Sequence, residues 1–142
     1  MANYGPEPLG YTLVAGEDLS THQFAPLAFG SDGKVVRAQD PSAVFFGVLG
    51  GDSKPRAGEH ASVVCGPAIT KGRMGLAVTA GNYLTVGSGG WFIPGQKATF
   101  NTSVWANAGS KTAIVGIAMA TVASGAVGTM RLYEKASTIN SN

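Results

Sequence analysis

Short runs of Val, Ile, Leu, Phe and Thr are cut at regular intervals by glycine along this chain. The rhythm is clearest between His60 and Gly95. There the runs His60 to Cys65, Gly75 to Val78, Tyr83 to Val86 and Trp91 to Ile93 are separated by Gly66-Pro67, Lys71-Gly72, Gly81-Asn82, Gly87 with Gly89-Gly90, and Pro94-Gly95. Glycine supplies positive φ and proline pre-sets a bend, so each break predicts a turn. The pattern predicts an all-β chain of about ten short strands, folded as a compact antiparallel β-barrel or sandwich with an extended N-terminal arm.

Met1 to Gly10 holds Pro6 and Pro8 in alternation, which removes backbone donors and favours an extended arm. The single β domain is expected over residues 11–133. Tyr11 to Val14 is its first strand, and Phe24 to Phe29 follows at a sheet edge because Pro26 cannot donate to a ladder. Ser31-Asp32-Gly33 predicts a hairpin into Lys34 to Gln39, which Asp40-Pro41 ends. Val44 to Leu49 is apolar at both parities and is expected to be the most central strand, buried on both faces or covered by a subunit. Asn101 to Lys111, with Trp105 as its large anchor, reads as a loop. Ala113 to Met119 and Thr129 to Tyr133 form the last pair, joined through Ser124-Gly125 or by a short helical turn over Ala118 to Ala123. Residues 134–142 read as a polar tail that frays. No repeat is strict enough to suggest a solenoid.

The length of 142 residues suits one domain with a core of its own. Charged residues are only 13 %, about half the usual share, so part of the surface is expected to meet another protein. The net charge of +2 is scattered apart from Lys54-Pro55-Arg56 and Lys71-Gly72-Arg73, too sparse for a phosphate-tracking stripe, so no nucleic acid is expected. Thr112 to Met130 carries no charge, but its glycines, Thr and Ser favour two strands and a hairpin over a membrane span. The N-terminus lacks a basic segment followed by an apolar core, so cytoplasmic synthesis is expected.

Candidate chemistry is sparse. Cys65, the single cysteine, reads as a small apolar residue in a strand. His22 and His60 stand in no metal-ligand pattern, so no metal or cofactor is expected. Neither a Gly-x-Ser-x-Gly elbow nor a phosphate loop is present, and Gly109-Ser110-Lys111-Thr112 lacks the glycine a phosphate loop needs. Glu17, Asp18, Asp32, Asp40, Asp52 and Glu59 lie beside turn glycines or prolines, where solvated caps are the default. The chain is therefore expected not to be an enzyme and to have no small-molecule substrate.

Several segments resemble the capsid cement, or head decoration, proteins of tailed bacteriophages. They are Gly33 to Ala38, Phe46-Gly47-Val48-Leu49, Ala57 to Gly66, Val78 to Gly87, and Gly116 to Gly125 with the closing Met130-Arg131-Leu132-Tyr133. Their order is similar to that family's: a Gly-Val-Leu strand, an Ala-Gly-Glu turn, a Val-rich strand, an Ala-Gly turn, and a Gly-x-Ala segment before Arg-Leu. Trp91-Phe92-Ile93 and Asn101 to Lys111 depart from it. The resemblance implies a homotrimer on the outer capsid surface of the virion, made in the host bacterial cytoplasm, that clamps neighbouring subunits of the major capsid protein. The capsid-contact candidates are Tyr4, Pro6, Pro8, Leu9 and Tyr11. The alternative is a carbohydrate- or ligand-binding β module of a phage tail or adhesin, stacking its ligand on Trp91, Trp105, Tyr83 and Tyr4.

Overall fold

The structure, a computed structural model, describes residues 9–39, 45–95 and 113–138. These form ten strands: β1 (Leu9–Val14), β2 (Pro26–Phe29), β3 (Val35–Arg37), β4 (Phe45–Leu49), β5 (His60–Cys65), β6 (Ala68–Arg73), β7 (Tyr83–Val86), β8 (Phe92–Pro94), β9 (Ala113–Ala118) and β10 (Val127–Thr138). They make two five-stranded antiparallel sheets, ordered β1-β5-β4-β2-β3 and β6-β10-β9-β7-β8. The all-β class expected from the glycine rhythm is the observed one.

The second order is the first with five added to every strand number. The chain is one five-stranded unit built twice, joined by Gly66-Pro67, and the correspondence extends to single hydrogen bonds. The Gly16 amide donates to the Val35 carbonyl and the Gly75 amide to the Phe92 carbonyl, both at 2.7 Å. In each unit this contact adjoins an isolated parallel bridge, Ala15 to Val35 and Met74 to Phe92, that brings the end of the first strand onto the third and curls the sheet on itself. The hairpins match too: Gly30 donates to Lys34 and Gly87 to Trp91, both at 2.8 Å, with Gly33 at φ 79° and Gly90 at φ 84°. Phe24, at φ 67°, takes the place of Gly81, at φ 95°. A phenylalanine in the left-handed region costs about 1–2 kcal/mol, so its ring must return that elsewhere.

Each unit has its own interior. The first is lined by Ala15, Leu19, Leu27, Val35, Leu49, Ala61, Val63 and Cys65. Their counterparts Met74, Val78, Leu84, Phe92, Ala118, Met130 and Leu132 fill the second, where Ala28, Ala38 and Val48 of the first unit join them. Strand alternation explains the sharing: Leu27 and Leu49 face inward while Ala28 and Val48 face the neighbouring unit. β4 is thus buried on both faces at the middle of its sheet, as its doubly apolar run predicts.

Five expectations give way. β2 is not an edge strand, since it pairs with both β3 and β4; Pro26 is tolerated because it is the first residue of the strand. Lys71-Gly72 is no turn but the interior of β6, and glycine is required because a Cβ there would lie 2.6 Å from Met130 Sδ and 2.9 Å from the Phe92 ring. Gly75 to Val78 is a bend with single bridges, not a strand. Tyr133 does not end the last strand: β10 runs to Thr138, with Ser137 opposite Ile114 and Thr138 opposite Ala113. β1 also starts two residues earlier than expected, with Leu9 opposite Cys65. The stretch from Ala113 to Met130 is two strands and a turn, and among the described residues no helix is long and apolar enough to cross a membrane. The loop over Asn101 to Lys111 and the Asp40-Pro41 stop lie outside the described residues.

Gly47 and Gly116 are equivalent, and in both a Cβ would strike a backbone carbonyl of the adjacent strand, of Val64 and of Arg131. Backbone cannot step aside as a side-chain tip can. Gly47→Ala and Gly116→Ala should each cost about 1–3 kcal/mol in denaturant unfolding, and should match each other to within about 1 kcal/mol. A neutral Gly116→Ala would show that the two units do not share this close approach.

Candidate functional site

The seam between the units carries the densest polar cluster. The Arg73 amide donates to the Phe24 carbonyl (3.0 Å), and the Phe45 ring meets Phe92 edge-on with centroids 6.2 Å apart. At the rim, Glu17 Oε2 accepts from the Arg37 amide (2.7 Å) and lies 3.6 Å from Arg37 Nε. Arg37 Nη1 lies 3.2 Å from His22 Nε2. The His22 ring stacks on Trp91 at 5.4 Å and 16°, and the Arg73 guanidinium sits 5.3 Å from the Trp91 centroid. Arg37 has no acceptor to offer, so His22 Nε2 must accept, which places the imidazole proton on Nδ1 beside Thr21 Oγ1 at 3.3 Å. Burial, and then the Arg37 charge, push the His22 pKa below its ordinary value. The cluster locks one unit to the other.

Of the carboxylates weighed for acid–base work, Glu17, Asp18, Asp32 and Glu59 have structural duties, and Asp40 lies outside the described residues. Ser20 donates its hydroxyl (2.7 Å) and its amide (2.9 Å) to Asp18 Oδ1, and these bonds hold the Asp18 carboxyl below the usual range. Asp32 accepts from the Lys34 amide (3.0 Å) and Glu59 from the Arg56 amide (2.7 Å). Cys65 is buried, and burial pushes its thiol pKa up, so it is held as an inert thiol. Among the described residues no three of His, Cys, Asp and Glu group so as to hold a metal ion.

What the first unit does present is an aromatic patch. Tyr11 on β1 is 49 % exposed and Phe29 on β2 is 40 % exposed. Phe46 on β4 lies between them, with ring centroids 5.8 Å from Tyr11 and 4.6 Å from Phe29. Of the capsid-contact candidates, Tyr11 stands in this patch and the Leu9 backbone pairs in β1; Tyr4, Pro6 and Pro8 lie outside the described residues. Phe29 and Phe46 were not among those candidates, since an apolar strand reads as core. The only available signal is that Phe29 directly precedes the polar turn Gly30 to Gly33, at the open end of the unit. The second unit carries Thr70, Val86 and Val115 at these three positions, the two valines buried, and has no such patch.

This arrangement of ten strands in two like-ordered sheets has a counterpart among solved structures. One likeness stands out. The fold is similar to that of the head fiber gp8.5 N base of bacteriophage phi29, with a TM-score of 0.61 over 92 % of this chain and 98 % of that one, at 17 % identity. No protein-family model matches the chain, and no curated protein matches its sequence.

Because His22 is held neutral at the seam, its contribution to stability is complete above pH 6.5, the value of the free side chain, and is lost as pH falls below it. The Asp18 carboxyl, shifted below 3.8, does not enter until much lower pH. Thermal melts at about pH 7.5 and about pH 5 should show a larger drop for the natural protein than for His22→Gln, which keeps an acceptor but does not titrate. Equal drops would mean that His22 is not the titrating lock.

Proposed function

We propose that this protein is a non-enzymatic structural component of a tailed-phage virion, a homotrimer that sits on the outer face of the head and clamps subunits of the major capsid protein. The fold likeness to a phage head-fiber base over nearly the whole of both chains is the observation that carries this reading. The surface supports it, with few charges and an exposed aromatic patch on a rigid β body. So does the seam. The hairpin tip at Gly90 rests near Arg37 and Gln39, while its counterpart Gly33 has open space around it. The contact is thus heterologous, one face of the first unit against a different face of the second, and copies that repeat a heterologous contact can close into a ring. Many copies on a shell also allow modest contacts per copy to add up.

The carbohydrate-module reading needs a free aromatic platform. Trp91 already carries His22 and Arg73 at its ring, and Tyr83 is half-buried in β7.

Light scattering on purified protein, or cross-linking on particles, should give three times the 14.4 kDa chain mass; a monomer in both settings would overturn the trimer. Co-sedimentation with undecorated heads tests the contact. Deleting residues 1–8, which leaves β1 whole, and separately Tyr11→Ser with Phe29→Ser, should each lower occupancy at a given protein concentration while circular dichroism stays β. Unchanged occupancy in both variants would remove the arm and the patch from the contact.

A further inference from the structure

The two units share a backbone but not a surface, and one site shows the divergence most sharply. In the second unit the β7–β8 hairpin and the bend after β6 enclose an open cavity of about 240 Å³, floored by Gly75, Gly87 and Gly89 and walled by Leu76, Trp91 and Ile93. The floor needs glycine: a Cβ on Gly87 would lie 2.8 Å from Ile93 Cγ2, and one on Gly75 3.2 Å from Trp91 Cβ. The first unit has the same floor, with a Cβ on Gly16 lying 3.2 Å from Lys34 Cβ, but there the walls are Glu17, Lys34 and Val36, with Asp32 where Gly89 stands. Three charged side chains in one copy have become Leu76, Trp91 and glycine in the other, and Leu76 is 54 % exposed. The sequence of the apolar copy is poor in acids. From His60 to Tyr133 the sequence contains no Asp or Glu, while Lys71, Arg73 and Arg131 lie within it, and Arg73 stands over the Trp91 ring.

We propose that this cavity is a docking site for an acidic segment of a partner protein, which inserts one aliphatic side chain between Leu76, Trp91 and Ile93 while its carboxylates face Arg73 and the other basic side chains of this sheet. Charge complementarity selects the partner, because Arg73 and Arg37 stand on the Trp91 side of the cavity and the one carboxylate there, Glu17, is already paired with Arg37, whereas in the first unit the equivalent positions are themselves the carboxylates Glu17 and Asp32. The inference does not depend on the capsid reading.

The test is an NMR titration of the full chain with three peptides of roughly ten residues: a Leu-Pro-Leu centre flanked by Asp and Glu, the same centre flanked by Lys, and an Asp/Glu peptide with a Ser centre. The first should shift the Leu76, Gly87 to Gly89 and Trp91 indole signals saturably, at least tenfold more tightly than the other two, and should weaken at least tenfold between about 0.05 M and about 0.5 M salt. Leu76→Glu, at an exposed position where the fold tolerates charge, should weaken it at least tenfold while distant signals stay put. The proposal fails if the lysine-flanked peptide binds as well, if Leu76→Glu binds normally, or if none of the peptides shifts these residues. Shifts caused instead by a neutral oligosaccharide would also overturn it, in favour of a glycan site.

Discussion

Each unit is a sheet of five strands whose own core, at this chain length, is marginal, and everything else in the structure depends on how the two units cover one another. Ala28 and Val48 on the outer face of the first sheet, with Phe45 edge-on to Phe92, extend the second unit's interior across the boundary. Small residues at Ala28 and Ala38 let the sheets approach, and Gly72 lets β6 lie against Met130 and Phe92. Around this apolar contact Glu17, Arg37, His22, Trp91 and Arg73 form a polar rim that fixes the angle between the units. Phe24 holds its unfavourable φ there because its carbonyl accepts from Arg73 across the seam and its ring packs over Gly51.

Duplication frees one copy to change while the other keeps the scaffold. The positions that set the backbone are the same kind in both halves: Gly16 and Gly75, Gly30 and Gly87, Gly33 and Gly90, Gly47 and Gly116, Gly58 and Gly125. The positions that only decorate it differ. The first half keeps most of the carboxylates and the Tyr11–Phe46–Phe29 patch, and the second has basic residues, buried valines and the Leu76–Trp91 cavity. The two halves thus present different apolar surfaces on one kind of scaffold.

Much of the fold was legible because turn chemistry is local. Ser31-Asp32-Gly33 and the glycines after Val86 mark hairpins in a few residues, and the double-parity run ending at Leu49 announces the central strand. Gly72, Gly47 and Gly116 misled or went unread because a glycine demanded by a neighbouring strand looks the same in sequence as one demanded by a turn. The repeat was hidden for a related reason: its equivalent residues, such as Phe24 and Gly81, or Lys34 and Trp91, share a backbone role and not a side chain. The surface was the least legible. Tyr11 stands among the contact candidates of the sequence, but Phe29 and Phe46 look like core until β1, β4 and β2 bring the three rings to one open end, and the seam cluster joins residues as distant as Glu17 and Trp91.

We propose that this duplicated β body rides on the outside of a phage head as a structural part. Cryo-electron microscopy of undecorated heads, with and without added protein, tests it most directly. A head-bound trimer gives extra density on the outer capsid surface, in discrete caps of three chains that each contact more than one capsid subunit. Heads that stay bare at saturating protein, or density confined to the tail, would contradict it.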